Sequence, residues 1–324
     1  MQAVVYHNYG SPDVLKLEEV QKPVLQDDQV LVKVVAAATA AGDWHLLRAD
    51  PFMVRFMYGV VEPKYKILGA DVAGRVEAVG RNVTQFKPGD EVFGDLSRSG
   101  FGAFAEYVAV PETALALKPR RLTFEQAAAV PVSAVTALLG LRAGNIHAGQ
   151  TVLINGASGG VGTYAVQIAK AFGAEVTAVC STGNVAMARA LGADHVIDYT
   201  REDFSQSGCK YELILAANGY KPIKTYQRAL TPNGSYIMTG GSSAQMFQAM
   251  VMGPWLSRKN GQKLGNILAK PSQADLVFVR ELIDAGKVTP VIDRCYPLRN
   301  VADAIRYVEA GHAKGKVVIT VDAR

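Results

Sequence analysis

The chain is short of cysteine. Its 324 residues include only Cys180, Cys209 and Cys295, far apart, odd in number and without a CxxC pair. That pattern excludes a disulfide framework and a cysteine-rich zinc lobe, and it predicts a reducing compartment, the cytoplasm. Long apolar runs are missing too. No window approaches the ~18 apolar residues of a spanning helix, so no membrane span is expected. The opening stretch Met1-Gln-Ala-Val-Val-Tyr-His7 has no basic region followed by a long apolar run, and no signal peptide is read in it. Internal repeats and low-complexity tracts are absent. Charge is nearly balanced, with 34 basic residues against 29 acidic ones leaving a net +5. The basic residues are scattered, and their longest cluster, Lys118-Pro-Arg-Arg121, is short. A nucleic-acid partner is therefore not expected, whereas a polyphosphate cofactor suits this balance.

What is present points to two domains. The length and the 49% hydrophobic content allow two substantial cores. The first 120 residues read as β-rich: Ala3 to Tyr6, Leu15 to Val20, Gln29 to Ala38 and Gly102 to Val108 look like strands, punctuated by Pro12, Pro23 and Asp27-Asp28. Asp50 to Lys66 fits neither period and carries Phe52, Met53, Phe56, Met57 and Tyr58, so it either packs under the domain or forms the wall of a substrate pocket. From Thr123 the pattern changes. Thr123-Phe-Glu-Gln126 reads as a capping box, and strands then alternate with helices. Strands at Val152–Asn155, Glu175–Val179, Asp194–Ile197, Glu212–Leu215 and Gly234–Thr239, with a sixth candidate at Gly265–Lys270, predict an α/β fold with a doubly wound parallel sheet. The tail, with a helix at Val301–Ala310 and a strand at Lys316–Val321, returns to the first domain. The division is 1–120 with 271–324, and 121–270.

Within the second domain, Val152 to Asn155 runs into Gly156-Ala-Ser-Gly159-Gly160-Val-Gly162 and then into a helix with apolar residues at helical spacing. Strand, glycine turn and helix together form the signature of a dinucleotide site. Small residues let backbone N–H groups approach a pyrophosphate at the positive end of the helix. The second strand ends about twenty residues further on, where an NAD site places an acidic residue against the ribose. Here the chain reads Cys180-Ser-Thr-Gly-Asn184, with no carboxylate. Hydroxyl and amide groups of Ser181, Thr182 and Asn184, with Tyr199, Arg189 and Arg201 nearby in sequence, suit a 2′-phosphate. The cofactor read from these residues is NADPH.

Five motifs stand together: Gly69 to Gly80, Pro88-Gly-Asp-Glu-Val92, Ala128-Ala-Val-Pro131 with Thr136, Gly156 to Gly162, and Gly315-Lys-Val-Val-Ile319. In this order the chain resembles the medium-chain dehydrogenase/reductase superfamily over nearly its whole length. Within it the chain is similar to the zinc-independent quinone oxidoreductase and alkenal/enone reductase branch. The resemblance implies a GroES-like catalytic domain beside a Rossmann domain. Zinc members carry ligands at three places, and here those places read Ala40, Ala70 (in Gly69-Ala70-Asp71) and Val132. Asp71 alone cannot hold a tetrahedral zinc, so a zinc-independent enzyme is expected.

The resemblance also implies site residues. Ser158, Gly159, Gly160 and Val161 hold the pyrophosphate. Ser181, Thr182, Asn184 and Tyr199 take the 2′-phosphate, and Thr136 lies against the nicotinamide. Asn218, Gly219, Gly240 and Gly241 line the carboxyl ends of the strands, and Lys316 approaches the cofactor. The family often has Asn at the place of Ala40 and Tyr at that of His45. His45 is therefore one candidate donor to a substrate oxygen and Tyr58 another, in a pocket expected from residues 43–60 and 246–256. The activity implied is hydride transfer from NADPH to a quinone or to the β-carbon of an α,β-unsaturated carbonyl, in a homodimer. A zinc-free alcohol or carbonyl dehydrogenase, and a non-catalytic NADPH-binding structural or interaction protein, remain open alternatives.

Overall fold

The computed structural model describes residues 1–257, 261–267 and 270–321. In chain order the elements begin β1 (Gln2–Val5), β2 (Lys16–Glu19), β3 (Gln29–Thr39), α1 (Ala41–Arg48), α2 (Val54–Tyr58), β4 (Asp71–Val79), β5 (Glu91–Asp95), β6 (Tyr107–Pro111), β7 (Leu115–Leu117), α3 (Phe124–Ala128) and α4 (Pro131–Ala143). They continue β8 (Thr151–Asn155), α5 (Gly160–Ala171), β9 (Glu175–Cys180), α6 (Val185–Ala190), β10 (His195–Asp198), β11 (Tyr211–Ala216), α7 (Ile223–Ala229), β12 (Leu230–Met238), α8 (Ser243–Val251), α9 (Gly253–Leu256) and β13 (Lys263–Asn266). Last come α10 (Gln273–Asp284), β14 (Ile292–Pro297), α11 (Val301–Glu309) and β15 (Lys316–Thr320). The chain forms two compact units: Met1–Val132 with Pro271–Asp284 and Pro290–Arg324, and Ser133–Lys270 with Ala285–Thr289.

The first unit is built on a sheet in the order β14-β15-β3-β4-β5-β7, with β6 also paired to β3. All its ladders are antiparallel except that of β14 with β15. Branched side chains fit such a half-buried pleat, and Val30, Val32, Val34, Val72, Val76, Val317 and Ile319 fill the core with Phe104 and Leu115. Several elements depart from the sequence expectation, among them the unpredicted α2, β7 and β14. The strand predicted from Gly102 starts only at Tyr107, because Phe101 (φ 64°) and Gly102 (φ 110°) turn into the left-handed region. Helix α1 was not expected. Its start is closed by the Asp43 carboxylate, which accepts the Ala40 N–H at 2.7 Å.

The second unit holds six parallel strands in the order β10-β9-β8-β11-β12-β13. That is the order 3-2-1-4-5-6 of a doubly wound dinucleotide sheet. The central strands read as apolar because helices cover both faces: Val152, Leu153 and Ile154 of β8 and Leu213, Ile214 and Leu215 of β11 are fully buried. The sixth strand ends at Asn266, earlier than expected. Residues 268 and 269 of the expected strand lie outside the described residues. Among the described residues no helix is long and apolar enough to cross a membrane.

Candidate functional site

The dinucleotide sheet reverses its winding between β8 and β11, and ligands of such sheets bind in the crevice outside those carboxyl ends. Asn155 organises this point. Its carbonyl accepts the N–H groups of Ala217 (3.0 Å) and Asn218 (3.1 Å). Its amide donates to Asn218 O (2.9 Å) and to the Tyr226 hydroxyl (3.0 Å). Gly219 donates to Gly240 O and bridges to Gly241, so the structure brings Asn218, Gly219, Gly240 and Gly241 to one place. Behind them the buried Gln245 amide donates to Tyr236 at 2.7 Å, and the Tyr226 and Tyr236 rings lie 4.8 Å apart. Burial pushes both phenols up, which keeps them neutral. Sequence reading assigned no role to Asn155, Tyr226, Tyr236 or Gln245. The one signal was an amide closing an otherwise apolar strand.

The glycine turn is packed as tightly as its composition implies. Gly156 and Ala157 donate to Val179 O, tying the turn to β9. Gly156 has φ 85°, and a Cβ there would lie 2.6 Å from Asn218 Cβ. A Cβ on Gly162 would lie 2.0 Å from Gly156 O. On the outer side, a Cβ on Gly159 would meet nothing nearer than Gly156 O at 3.7 Å. So backbone closes the inner side of the turn and leaves its outer side open. Gly159 caps α5 without a side-chain hydrogen bond, and the first N–H groups of a helix lack intrahelical acceptors. Ser158, Gly159, Gly160 and Val161 are half-buried there, over a helix anchored by buried Tyr164, Ala165, Ile168 and Ala169. Thr136 is half-buried on α4.

The turn after β9 gathers Ser181, Thr182, Asn184 and Tyr199. Tyr199 donates its N–H to Cys180 O and leaves an exposed ring. Asn184 is buried, and its amide donates to Ser181 Oγ at 3.0 Å. Its Oδ1 has no hydrogen-bond partner among the described residues. Thr182 is engaged differently: its hydroxyl donates to Asp198 Oδ2 at 2.6 Å and lies 2.9 Å from Thr200 Oγ1. Thr200 gives its N–H and hydroxyl to Asp198 Oδ1 (3.0 and 2.7 Å). The Thr182 hydroxyl first, and those Thr200 bonds with it, hold the Asp198 carboxyl below the usual range. The Thr182 proton is therefore committed to Asp198. Ser181 Oγ accepts from Asn184, and its own proton has no acceptor among the described residues. Asp198 and Thr200 were missed although Tyr199 lies between them, because their bonds to Thr182 form only once the ends of β9 and β10 are adjacent.

The other unit carries the remaining candidates. His45 Nδ1 lies 2.6 Å from Asp50 O, and its ring stacks on Trp44 at 3.6 Å. A carbonyl can only accept, so Nδ1 carries a proton and donates it to Asp50 O. Tyr58 is half-buried, its ring 5.9 Å from Phe101 and 6.3 Å from Tyr65. Asp43 is buried, and besides Ala40 it accepts the Gly69 N–H at 3.1 Å. Desolvation outweighs those two hydrogen bonds and pushes its carboxyl up to about 7. Lys316 is buried too: its ammonium donates to Asp71 Oδ2 at 2.7 Å, while Asp71 Oδ1 accepts the Val132 N–H at 2.7 Å. Burial pushes the Asp71 carboxyl up, and the Lys316 charge opposes this. Among the described residues no three His, Cys, Asp or Glu side chains converge as a metal site.

With this geometry in place, similarity to known proteins was established. Residues 26–120 match the alcohol dehydrogenase GroES-like domain, and residues 191–319 match a family described as zinc-binding dehydrogenase. The chain is 37% identical to 2-methylene-furan-3-one reductase of Solanum lycopersicum, over 98% of this chain and 79% of that protein. It is also 37% identical to the NADPH-dependent alkenal/one oxidoreductase, chloroplastic, of Arabidopsis thaliana, with the same coverage. Among solved structures, the quinone oxidoreductase of Coxiella burnetii superimposes with a TM-score of 0.89 at 27% identity, covering 99% of both chains.

Proposed function

The chain belongs to the medium-chain dehydrogenase/reductase superfamily, and from that premise we propose that it reduces quinones or α,β-unsaturated carbonyls with NADPH, without zinc. The observation that carries this reading is the open outer face of the glycine turn at the switch point. There the backbone is closely packed on its inner side, while a Cβ on Gly159 would meet only Gly156 O, at 3.7 Å, which supports room for a pyrophosphate. Relatives named as an NADPH-dependent alkenal/one oxidoreductase and a furanone reductase support the acceptor class.

When bound, the nicotinamide supplies a hydride to an electron-poor carbon. The chain's own residues do the rest. Backbone N–H groups of Ser158, Gly160 and Val161 would hold the pyrophosphate, and the dipole of α5 would favour its charge. The Gly159 N–H is committed to Gly156 O at 3.2 Å, and Gly159 gives the close approach. Ser181 donates its uncommitted proton to the 2′-phosphate, helped by the exposed Tyr199 hydroxyl and Arg201, while Asn184 fixes Ser181. Thr182 contributes shape rather than a proton. Thr136, Asn218, Gly219, Gly240 and Gly241 border the nicotinamide half. Tyr58 is the better donor to the oxygen on which charge develops. His45 already spends its Nδ1 proton on Asp50 O.

Lys316 acts through Asp71 rather than by touching a ligand. Both Asp71 oxygens are occupied, one by an N–H and the other by an ammonium. That donor set does not fit Zn²⁺, which needs uncommitted anionic or imidazole ligands. A homodimer through the free edge of β13, and the reducing cytoplasm that suits three unpaired cysteines, complete the reading.

A substrate panel with both nicotinamide cofactors tests it. Turnover of 9,10-phenanthrenequinone or an alkenal with NADPH is expected, with NADH at least tenfold poorer in kcat/KM. Ethanol oxidation by NADP⁺ without quinone or alkenal turnover would overturn it, as would tight NADPH binding with no turnover across the panel.

A further inference from the structure

A cavity of about 540 Å³ opens in the first unit, between the end of β7 and helix α10, well inside the volume range of small-molecule sites. Its lining is Leu117, Lys118, Arg120, Arg121, Arg280 and Asp284. Four cations and one carboxylate thus converge on a single concavity.

Both walls are held in place. Lys118 donates to Pro119 O (3.2 Å) and Leu122 O (2.6 Å), wrapping residues 118–122 around its ammonium, and Glu91 Oε2 lies 3.2 Å away as its counter-charge. The turn so formed carries Arg120 and Arg121. On the facing wall, Gln273 at the start of α10 donates to Leu115 O (2.8 Å) and Glu112 O (3.2 Å), fixing that helix against the end of β7. Arg280 and Asp284 stand four residues apart, on one face of α10.

Lys118 shares Glu91 (3.2 Å) with Arg75 (2.8 Å). Arg120, Arg121 and Arg280 have no carboxylate within ion-pair distance among the described residues, so three guanidiniums share the cavity with Asp284 alone. Like charges brought together repel, and folding gains nothing from collecting them. A bound anion removes that cost. Guanidinium forks match phosphate oxygens in pairs, and several forks around one cavity suit several phosphates rather than a single carboxylate.

We propose that this cavity is a second anion site, distinct from the glycine turn, that takes a soluble small molecule carrying two or more adjacent phosphate groups. No bond is made or broken there; the site binds.

Calorimetric titration of the full chain with inorganic pyrophosphate at low ionic strength tests this, in the parent and in a variant carrying Arg120→Gln, Arg121→Gln and Arg280→Gln. The parent is expected to show two binding events and the variant one, its affinity at the lost site falling at least tenfold. A control carrying Lys16→Gln, Lys87→Gln and Lys224→Gln removes equal charge elsewhere and should keep both events. A single event in the parent that vanishes in the variant also supports the cavity, and counts instead against the glycine turn as a phosphate cradle. Identical titrations of parent and variant would overturn the proposal, as would equal loss in the lysine control. Binding to phosphatidylglycerol vesicles that depends on the same arginines while pyrophosphate does not bind would overturn it too.

Discussion

Lys316 Nζ lies 2.7 Å from Asp71 Oδ2, with the two side chains 2% and 0% exposed, and the other Asp71 oxygen holds the N–H of Val132 near the start of α4. One carboxylate thereby ties β4, β15 and the entry to α4 together. Removing one partner of such a buried pair leaves an uncompensated charge, whereas removing both leaves none. Lys316→Met is expected to destabilise the chain by about 3–5 kcal/mol, read from urea unfolding midpoints. Adding Asp71→Asn, which keeps an acceptor for Val132 N–H, should recover about half of that loss. A single variant within about 1 kcal/mol of the parent would mean that the pair holds nothing.

Asp43 has the opposite electrostatic situation, a buried carboxyl with two N–H donors and no cation in contact. Its folded value of about 7 lies above the unfolded value near 4. Below about pH 4 both states are protonated, and the contribution to stability is fully present. As pH rises toward 7 the unfolded state releases the proton first, so stability falls by an amount on the order of 4 kcal/mol and levels off above that. Asp43→Asn should flatten this window. It should also cost about 1–3 kcal/mol at low pH, because one of the two N–H groups loses its acceptor. An unchanged pH slope in the variant would assign the dependence to another group.

How far these features can be read from sequence depends on where their causes lie. The parallel sheet is legible because β8 and β11 are covered on both faces, leaving an unbroken apolar run, and because Gly156 to Gly162 follows β8 directly. Thr123 and Gln126 make the reciprocal capping bonds their spacing implies, at 3.3 and 3.0 Å. Helix α1 escapes notice because Asp43, which closes its start, works as much on distant Gly69 as on Ala40. The strand predicted from Gly102 fails because two consecutive positive φ values intervene, and an apolar alternation does not reveal them. Asp198 and Asp71 are legible as acids, but their partners Thr182 and Lys316 lie 16 and 245 residues away. Those pairings exist only once the sheets have formed.

The two candidate donors differ in what their protons are doing. His45 spends its Nδ1 proton on Asp50 O, whereas the Tyr58 hydroxyl remains available. Losing a single donor to a developing oxyanion costs about a hundredfold to a thousandfold in a water-excluded site, and less for a half-buried donor such as Tyr58. Tyr58→Phe is therefore expected to lower kcat for an alkenal by about tenfold to a hundredfold with KM changed less than threefold. His45→Gln should lower it by less than threefold. Steady-state kinetics with saturating NADPH decides between them, and the reverse order of effects would transfer the role to His45.

Ser181 is the side chain through which the cofactor preference should be altered. Its oxygen accepts from Asn184 and its proton has no acceptor among the described residues, while the neighbouring Thr182 is already engaged by Asp198. Ser181→Asp replaces a donor with an acceptor and sets a negative charge where a 2′-phosphate would lie, while offering the NADH ribose the carboxylate that NAD sites use. The ratio of kcat/KM for NADPH over NADH is expected to fall at least tenfold, about 1.4 kcal/mol, with the quinone KM unchanged. Because Ser181 is only half-buried, the fold should tolerate the exchange, and an unshifted unfolding midpoint checks this. A preference that survives intact in a folded variant would place the 2′-phosphate elsewhere, with exposed Arg201 as the next residue to change.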